Sequence, residues 1–271
     1  MKFEEFQLER NQSLFENEVD YNLSESGVHP LKISEILSSD EQNQILDKEL
    51  YYGYTNGTPE LRQRVLDIYD QNLSLDNVLI TSGSAEANFL SIMTQLDAGD
   101  EIIYMVPNYL QIFHLARSLG IMVKTLPLKH ELGWQWDPDE LKELVSSKTK
   151  MIVVCNPNNP TGAIMHHEIM DLVIKIAQEN DCWILSDEVY RGAELKGEEC
   201  RSFAFSTEKT IVNAGLSKAY SLPGLRIGWT VGSDTYINRA WSFHDFTVIN
   251  VSYLSDWIAS KILESSRRKK I

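Results

Sequence analysis

The sequence predicts an α/β protein, a three-layer sandwich with a mostly parallel sheet between two layers of helices. Two observations lead there. Short runs rich in β-branched residues alternate with stretches of helical period, the pattern of strands joined through crossover helices. Those runs are nearly continuous in apolar residues rather than alternating, so both faces of the sheet must be covered.

The strand candidates are NVLIT (77–81), EIIYMV (101–106), IMVKTL (121–126), KMIVVC (150–155), CWILS (182–186), TIVNA (210–214) and LRIGWTV (225–231). Before the first of them, Thr58-Pro59-Glu60 opens a helix with a capping hydroxyl and a proline at the first helical position. Leu61, Val65, Ile68 and Tyr69 then fall on one face of it. Helices are expected over 84–96, 109–119 and 166–179, where His166-His167 reads as an exposed first turn, and Asp137-Pro138 is a second cap-plus-proline start.

The 271 residues suffice for a large core, and 43% apolar with 24% charged residues is an ordinary globular composition. A net charge of -14 disfavours nucleic acid and anionic membrane as partners. The closing Arg267-Arg268-Lys269-Lys270 run is the local exception and reads as a solvated tail. Cys155, Cys182 and Cys200 form no CxxC pair, and the first two sit in strand-like runs as small hydrophobes. MKFEEFQLER lacks the apolar stretch of a signal peptide. A cytoplasmic location is expected, in which N-x-S/T triplets such as Asn72-Leu73-Ser74 have no use for glycosylation.

Sheets of this kind bind ligands at the carboxyl ends of their strands. Polar clusters fall there: Ser82-Gly83-Ser84, Pro107-Asn108-Tyr109, Asn156 to Gly162 and Asp187 to Tyr190. Ser82-Gly83-Ser84-Ala85-Glu86, between a strand and a helix, offers unpaired backbone N–H groups and a helix dipole to an anion, and glycine lets a phosphate approach. It is neither a Walker loop, a GxGxxG loop nor a GxSxG elbow. Arg226 can add a bidentate contact to the same phosphate. Asp187, ending an apolar strand, is costly unless it meets a cation, and a protonated heteroaromatic nitrogen is one. Tyr190 and Asn159 can address a ring oxygen, Tyr109 can stack on the ring face, and a partly buried Lys218 can form a Schiff base. Together these roles describe pyridoxal 5'-phosphate. Taken singly, each residue has a plainer use: Lys218 and Arg226 snorkelling, Asp187 as a cap, Asn159 as a turn former, Tyr109 as core.

TSGSAEA (81–87), NPNNPTG (156–162), SDEVY (186–190) and GLSKAYSLPGLRIGW (215–229), in this order, resemble the fold type I, class I/II aminotransferases of the aspartate aminotransferase-like family. The likeness runs from about Tyr51 to Trp229 and implies their large-domain fold. It implies Lys218 as the Schiff-base lysine, Asp187 on the pyridine nitrogen, and Tyr190 and Asn159 on the phenolate oxygen. Tyr109 takes the stacking position, and the Ser84 and Ala85 backbone, Ser217 and Arg226 grip the phosphate. Tyr52 resembles the tyrosine that reaches the neighbouring subunit's phosphate, which implies a homodimer. The implied activity is amino transfer between an amino acid and a 2-oxo acid. Another fold type I reaction (a lyase, decarboxylase or cyclising synthase), or a cofactor-binding chain with little turnover, is the alternative.

Two departures accompany the likeness. Many relatives carry a serine where this chain has Gly215, one phosphate hydroxyl fewer. The family also has a C-terminal domain bearing the arginine for the substrate α-carboxylate, which matches no residue here. The implied division is therefore 1–50 as part of a small domain, 51–250 as the cofactor-binding large domain, and 251–271 as the start of the C-terminal part. On this reading the face of a helix over 254–263, with Leu254, Ile258, Ile262 and Leu263, lacks its cover and is prone to association.

Overall fold

The computed structural model describes residues 3–69, 73–268 and 270–271. Its centre is one seven-stranded sheet of β1 (Val78–Thr81), β2 (Glu101–Val106), β3 (Met122–Pro127), β4 (Thr149–Cys155), β5 (Trp183–Asp187), β6 (Thr210–Gly215) and β7 (Gly228–Val231). The spatial order is β1-β7-β6-β5-β4-β2-β3. Neighbours from β3 to β6 run parallel, whereas β7 is antiparallel to both β1 and β6. The carboxyl ends of β1, β2, β4, β5 and β6 therefore share one edge of the sheet, and the polar clusters collect along it.

Alternate residues of each strand enter different layers, as the two-residue period of a strand requires. Ile103, Met105, Ile152, Val154, Ile184 and Val212 belong to one core, and Ile102, Tyr104, Met151, Val153, Leu185 and Ile211 to the other. This is the three-layer sandwich expected from the continuous apolar runs.

Three short N-terminal helices, α1 (Gln7–Phe15), α2 (Ile33–Ile36) and α3 (Ser39–Leu46), precede the sheet. They are followed by α4 (Pro59–Tyr69), α5 (Gly83–Gln95), α6 (Gln111–Ser118), α7 (Pro138–Leu144), α8 (His167–Glu179), α9 (Asp234–His244), α10 (Tyr253–Ile262) and α11 (Ser265–Arg268). Helices α5, α6 and α9 cover one face, and α4, α7, α8 and α10 the other. Both cap-plus-proline starts form: Thr58 Oγ1 accepts from Leu61 N–H at 3.2 Å, and Asp137 accepts from Asp139 and Glu140 N–H.

The last strand is shorter than the apolar run that predicts it. Pro223–Leu225 forms a 3₁₀ turn, and Arg226 follows with a left-handed φ of 52°, so β7 starts only at Gly228. A non-glycine residue at positive φ costs about 1–3 kcal/mol, and Arg226 is the side chain expected to hold a ligand.

Two expectations fail at the C-terminus. The face of α10 is covered: Ile258, Ile262 and Leu263 are buried in the main core, where the helix packs on α4. The buried carboxylate of Asp256 joins the two helices, accepting from Thr58 N–H at 3.0 Å and Thr58 Oγ1 at 2.5 Å, and Lys261 reaches Glu60 at 2.8 Å. Sequence spacing identifies an apolar face but not which earlier helix meets it. Nor are the two arginines of the basic run solvated, although Lys270 is exposed as expected. Arg267 makes a two-bond fork to Glu41 at 2.8 and 2.9 Å, and Arg268 meets Glu199 at 2.5 Å. The Arg267 guanidinium holds the Glu41 carboxyl down to about 2. Lys269 of that run and Asn72 of the triplet lie outside the described residues.

The exposed large apolar side chains lie mostly in the N-terminal segment, among them Leu8, Phe15, Tyr21, Leu23 and Leu50, with Phe246 and Ile249 elsewhere. No helix among the described residues is long and apolar enough to cross a membrane.

Candidate active site

Asp187 ends β5 with its side chain almost fully buried. One oxygen accepts from Val189 N–H at 3.2 Å and the other from Asn88 Nδ2 at 3.4 Å. Burial pushes its carboxyl up to about 6, against the pull of those two donors and of the Lys218 charge. Among the described residues no Lys or Arg forms an ion pair with it. The group is thus a desolvated acid that lacks the cation its position calls for.

Asn88 is a participant that the sequence motifs do not reveal. Its amide also donates toward Gln111 at 3.3 Å, and its carbonyl accepts from Asn213 Nδ2 at 2.9 Å. Asn213, paired with Asp187 across β5 and β6, also donates to Ser91 at 3.0 Å. Ser91 meets Tyr236, which meets Thr230 of β7. A line of buried polar groups therefore backs the carboxylate. Three polar residues, Asn88, Ser91 and Asn213, in otherwise apolar elements were the available signal.

Tyr190 and Asn159 come together as expected, Asn159 Nδ2 donating to the Tyr190 phenol at 3.1 Å. Ser26 Oγ lies 2.7 Å from the same oxygen. Burial raises the phenol to about 12. Tyr109 stands after β2 with its hydroxyl donating to Glu9 at 2.5 Å and its ring meeting Phe6 edge-on at 5.1 Å. Its phenol is also raised, by burial and then by the Glu9 carboxylate.

Lys218 follows β6, its side chain 27% exposed, and its ammonium meets Glu25 Oε1 at 2.7 Å. Burial works against the Glu25 charge, but the Lys218 and Gly27 N–H bonds outweigh it and hold the carboxyl below its ordinary value. Glu9, Glu25 and Ser26 were not foreseen, since nothing in their spacing ties the N-terminal segment to strand ends 100 to 193 residues away.

The phosphate end is built from glycine. Gly83, at φ 74°, starts α5, and a Cβ placed there would lie 2.5 Å from the Arg226 guanidinium. On β7, a Cβ at Gly228 would lie 2.4 Å from Ser84 N. Gly228 pairs with Gly215 of β6, where a Cβ would come within 3.0 Å of the Ile227 carbonyl. The chain therefore seats the Ser82–Ser84 turn directly on a strand pair without side chains. A side chain at 215 would crowd that seat. Ser84 and Ala85 lie in the first turn of α5, whose N–H groups have no partner within the helix. Ser217 is half-buried beside Lys218. Arg226 has no carboxylate partner among the described residues; its guanidinium touches the Pro223 carbonyl at 3.4 Å. Tyr52 is not drawn into this group: its ring is 73% exposed, and only its backbone carbonyl is bound, by Asn250.

A desolvated acid without a cation, a glycine cradle beside an unpaired arginine, and a lysine on the same sheet edge fit a ring with a protonated nitrogen, a phosphate and an amine-reactive carbon. Pyridoxal phosphate has that donor and acceptor set. The family of aminotransferases of class I and II matches residues 22–270. The chain belongs to this family. It is 32% identical over 209 residues to an aspartate aminotransferase of Pyrococcus horikoshii, a match covering 74% of this chain and 53% of the relative. A (5-formylfuran-3-yl)methyl phosphate transaminase of Methanocaldococcus jannaschii is 29% identical, covering 82% of this chain and 58% of the relative. The crystal structure of a PLP-dependent aminotransferase from Streptococcus suis superposes with a TM-score of 0.92 at 30% identity, covering all of this chain and 73% of that one. The chain thus spans a little over half the length of these two curated relatives.

The cradle carries a direct expectation. Arg226→Ala should raise the pyridoxal phosphate concentration for half-saturation about tenfold, the lower part of what a charge-assisted pair contributes, because the guanidinium is solvent-exposed. Fluorescence titration of the cofactor-free chain measures it; unchanged affinity would remove Arg226 from the phosphate site.

Proposed function

We propose that the chain binds pyridoxal phosphate through Lys218 and serves amino transfer between an amino acid and a 2-oxo acid. The observation that carries this reading is the buried, cation-less Asp187 on the same sheet edge as Lys218 and the glycine cradle. When bound, the cofactor supplies a carbon that condenses with amines and a ring that withdraws electrons from the carbon on that nitrogen.

The remaining work belongs to the chain. Asp187 keeps the ring nitrogen protonated. Tyr190 and Asn159 offer their hydroxyl and amide to the ring oxygen, and Tyr109 bounds the ring face. Ser84, Ala85, Ser217 and Arg226 fix the phosphate and hence the orientation. Lys218 Nζ, once displaced by the substrate amine, is the base that takes the α-proton and the acid that returns it. Against a lyase or decarboxylase stand the relatives, whose names are those of aminotransferases.

The test is spectroscopic. The loaded protein should absorb in the visible, the absorbance should change on adding an amino acid, and borohydride followed by peptide mapping should leave the label on Lys218. A label on another lysine refutes the assignment.

The working form is a homodimer in the cytoplasm. The exposed rings of Tyr51, Tyr52 and Tyr54 support the dimer, and three free buried cysteines support a reducing compartment. Tyr52 then reaches the partner's phosphate. Sedimentation at micromolar concentration should give a dimer; a monomer with full cofactor affinity contradicts it.

A further inference from the structure

The N-terminal segment brings two carboxylates into the site. Helix α1 presents Glu9 to the hydroxyl of Tyr109, and the loop after it presents Glu25 to Lys218, next to Ser26 on Tyr190. The segment is docked rather than draped. Glu4 N–H donates to Ser118 at 2.8 Å, the Glu4 carboxylate meets His114 at 3.2 Å and Arg117 at 3.1 Å, and Phe6 packs on Tyr109. Gln12 donates to the Ser24 carbonyl at 3.0 Å, tying α1 to the loop that carries Glu25. Gly27 N–H, at 2.6 Å, aims the Glu25 carboxylate.

The charges at the site can be matched one by one. Arg226 answers the phosphate, Asp187 the ring nitrogen, and Lys218 either holds the cofactor's carbon or, once displaced, acts as a neutral amine base rather than as a lasting cation. Among the described residues, Glu9, half-buried against Tyr109, and Glu25, more exposed, are then left without another cation on the side of the site that the N-terminal segment lines. A second carboxylate on the substrate would meet like charge there, and an ammonium or guanidinium would meet its complement. Phe6, packed on Tyr109, gives the Glu9 side of the site an apolar surface for a methylene stem.

Resting on the transaminase reading, we infer that the site takes amino acids with a cationic side chain, Glu25 and Glu9 being the groups that select them.

The experiment uses the full chain loaded with pyridoxal phosphate and two unreactive ligands that lack an α-amine, 5-guanidinopentanoate and succinate. Calorimetry should show the guanidino acid binding roughly tenfold more tightly, and Glu25→Gln should weaken it about fivefold to tenfold while leaving succinate unchanged or improved. Glu9→Gln should move both ligands in the same directions, and serves if the Glu25 variant does not fold. Spectral changes should likewise be faster with arginine or lysine than with aspartate. Tighter succinate binding, no binding of either ligand, or an equal loss of both in Glu25→Gln overturns the inference, the last because Glu25 would then serve only Lys218 or the fold. Failure of the cofactor to bind is seen before any ligand is added. It removes the transaminase reading and this inference with it, whereas a preference for succinate removes the inference alone.

Discussion

Lys218→Ala should lower amino transfer by roughly a thousandfold to ten-thousandfold, the upper range for one positioned proton-transfer group, while the protein still takes up pyridoxal phosphate. The two effects separate because most of the phosphate contacts do not depend on the Lys218 side chain. Lys218 follows β6, whereas Arg226, Gly83 and Gly228 build the cradle from α5, β7 and the turn before β7. Uptake should therefore persist without the visible band of a lysine adduct. The variant also leaves Glu25 without its ammonium, but the pair is partly solvent-exposed and its loss should hardly move stability. Single-turnover spectra with an added amino acid give the rate, and a small primary amine in the buffer should restore part of it by replacing the missing base. A variant that retains near wild-type turnover would show that the α-proton leaves by another group.

The sheet was legible because its strands are buried on both faces. Continuous apolar runs such as IIYMV in β2 and MIVVC in β4 leave a chain little alternative to a covered strand, and the glycines, prolines and polar residues beyond them mark the ends. The clustered site residues were legible for a related reason. Asp187, Asn159, Tyr190 and Lys218 interrupt apolar surroundings at strand ends, where an unmatched polar group is expensive. Contacts made by exposed or amphipathic segments were not legible. The pairing of Arg267 with Glu41, the seating of α10 on α4 through Asp256, and the approach of Glu9 and Glu25 to the site join residues that are ordinary in their own neighbourhoods. Only the folded path makes them partners. Arg226 shows the limit in miniature: its identity points to phosphate, but the left-handed turn that aims it shortens the strand that its apolar neighbours predict.

Asp187→Asn should abolish most turnover and, at pH 8, make the cofactor-free chain more stable. The carboxyl stands at about 6 in the folded chain against an ordinary value of 3.8, because burial opposes its charge. The folded chain thus holds this proton more tightly than the unfolded chain does. Stability falls as pH rises from about 4 through about 6, and above that range the whole penalty is present. At 1.36 kcal/mol for each pH unit the penalty is at most about 3 kcal/mol. Asparagine removes the charge, but its amide would confront the Asn88 amide that now donates to the carboxylate at 3.4 Å. That conflict offsets part of the gain, leaving about 1–2 kcal/mol. Urea unfolding of both proteins without cofactor should therefore show the variant ahead at pH 8 and the advantage gone by about pH 4. With pyridoxal phosphate bound, the order should reverse, since the wild-type acid then has the pyridinium as its cation and the variant has none. Equal pH dependence in the two cofactor-free proteins would mean that Asp187 is not held as an uncompensated acid, and the central argument for a cationic ring at this position would fall.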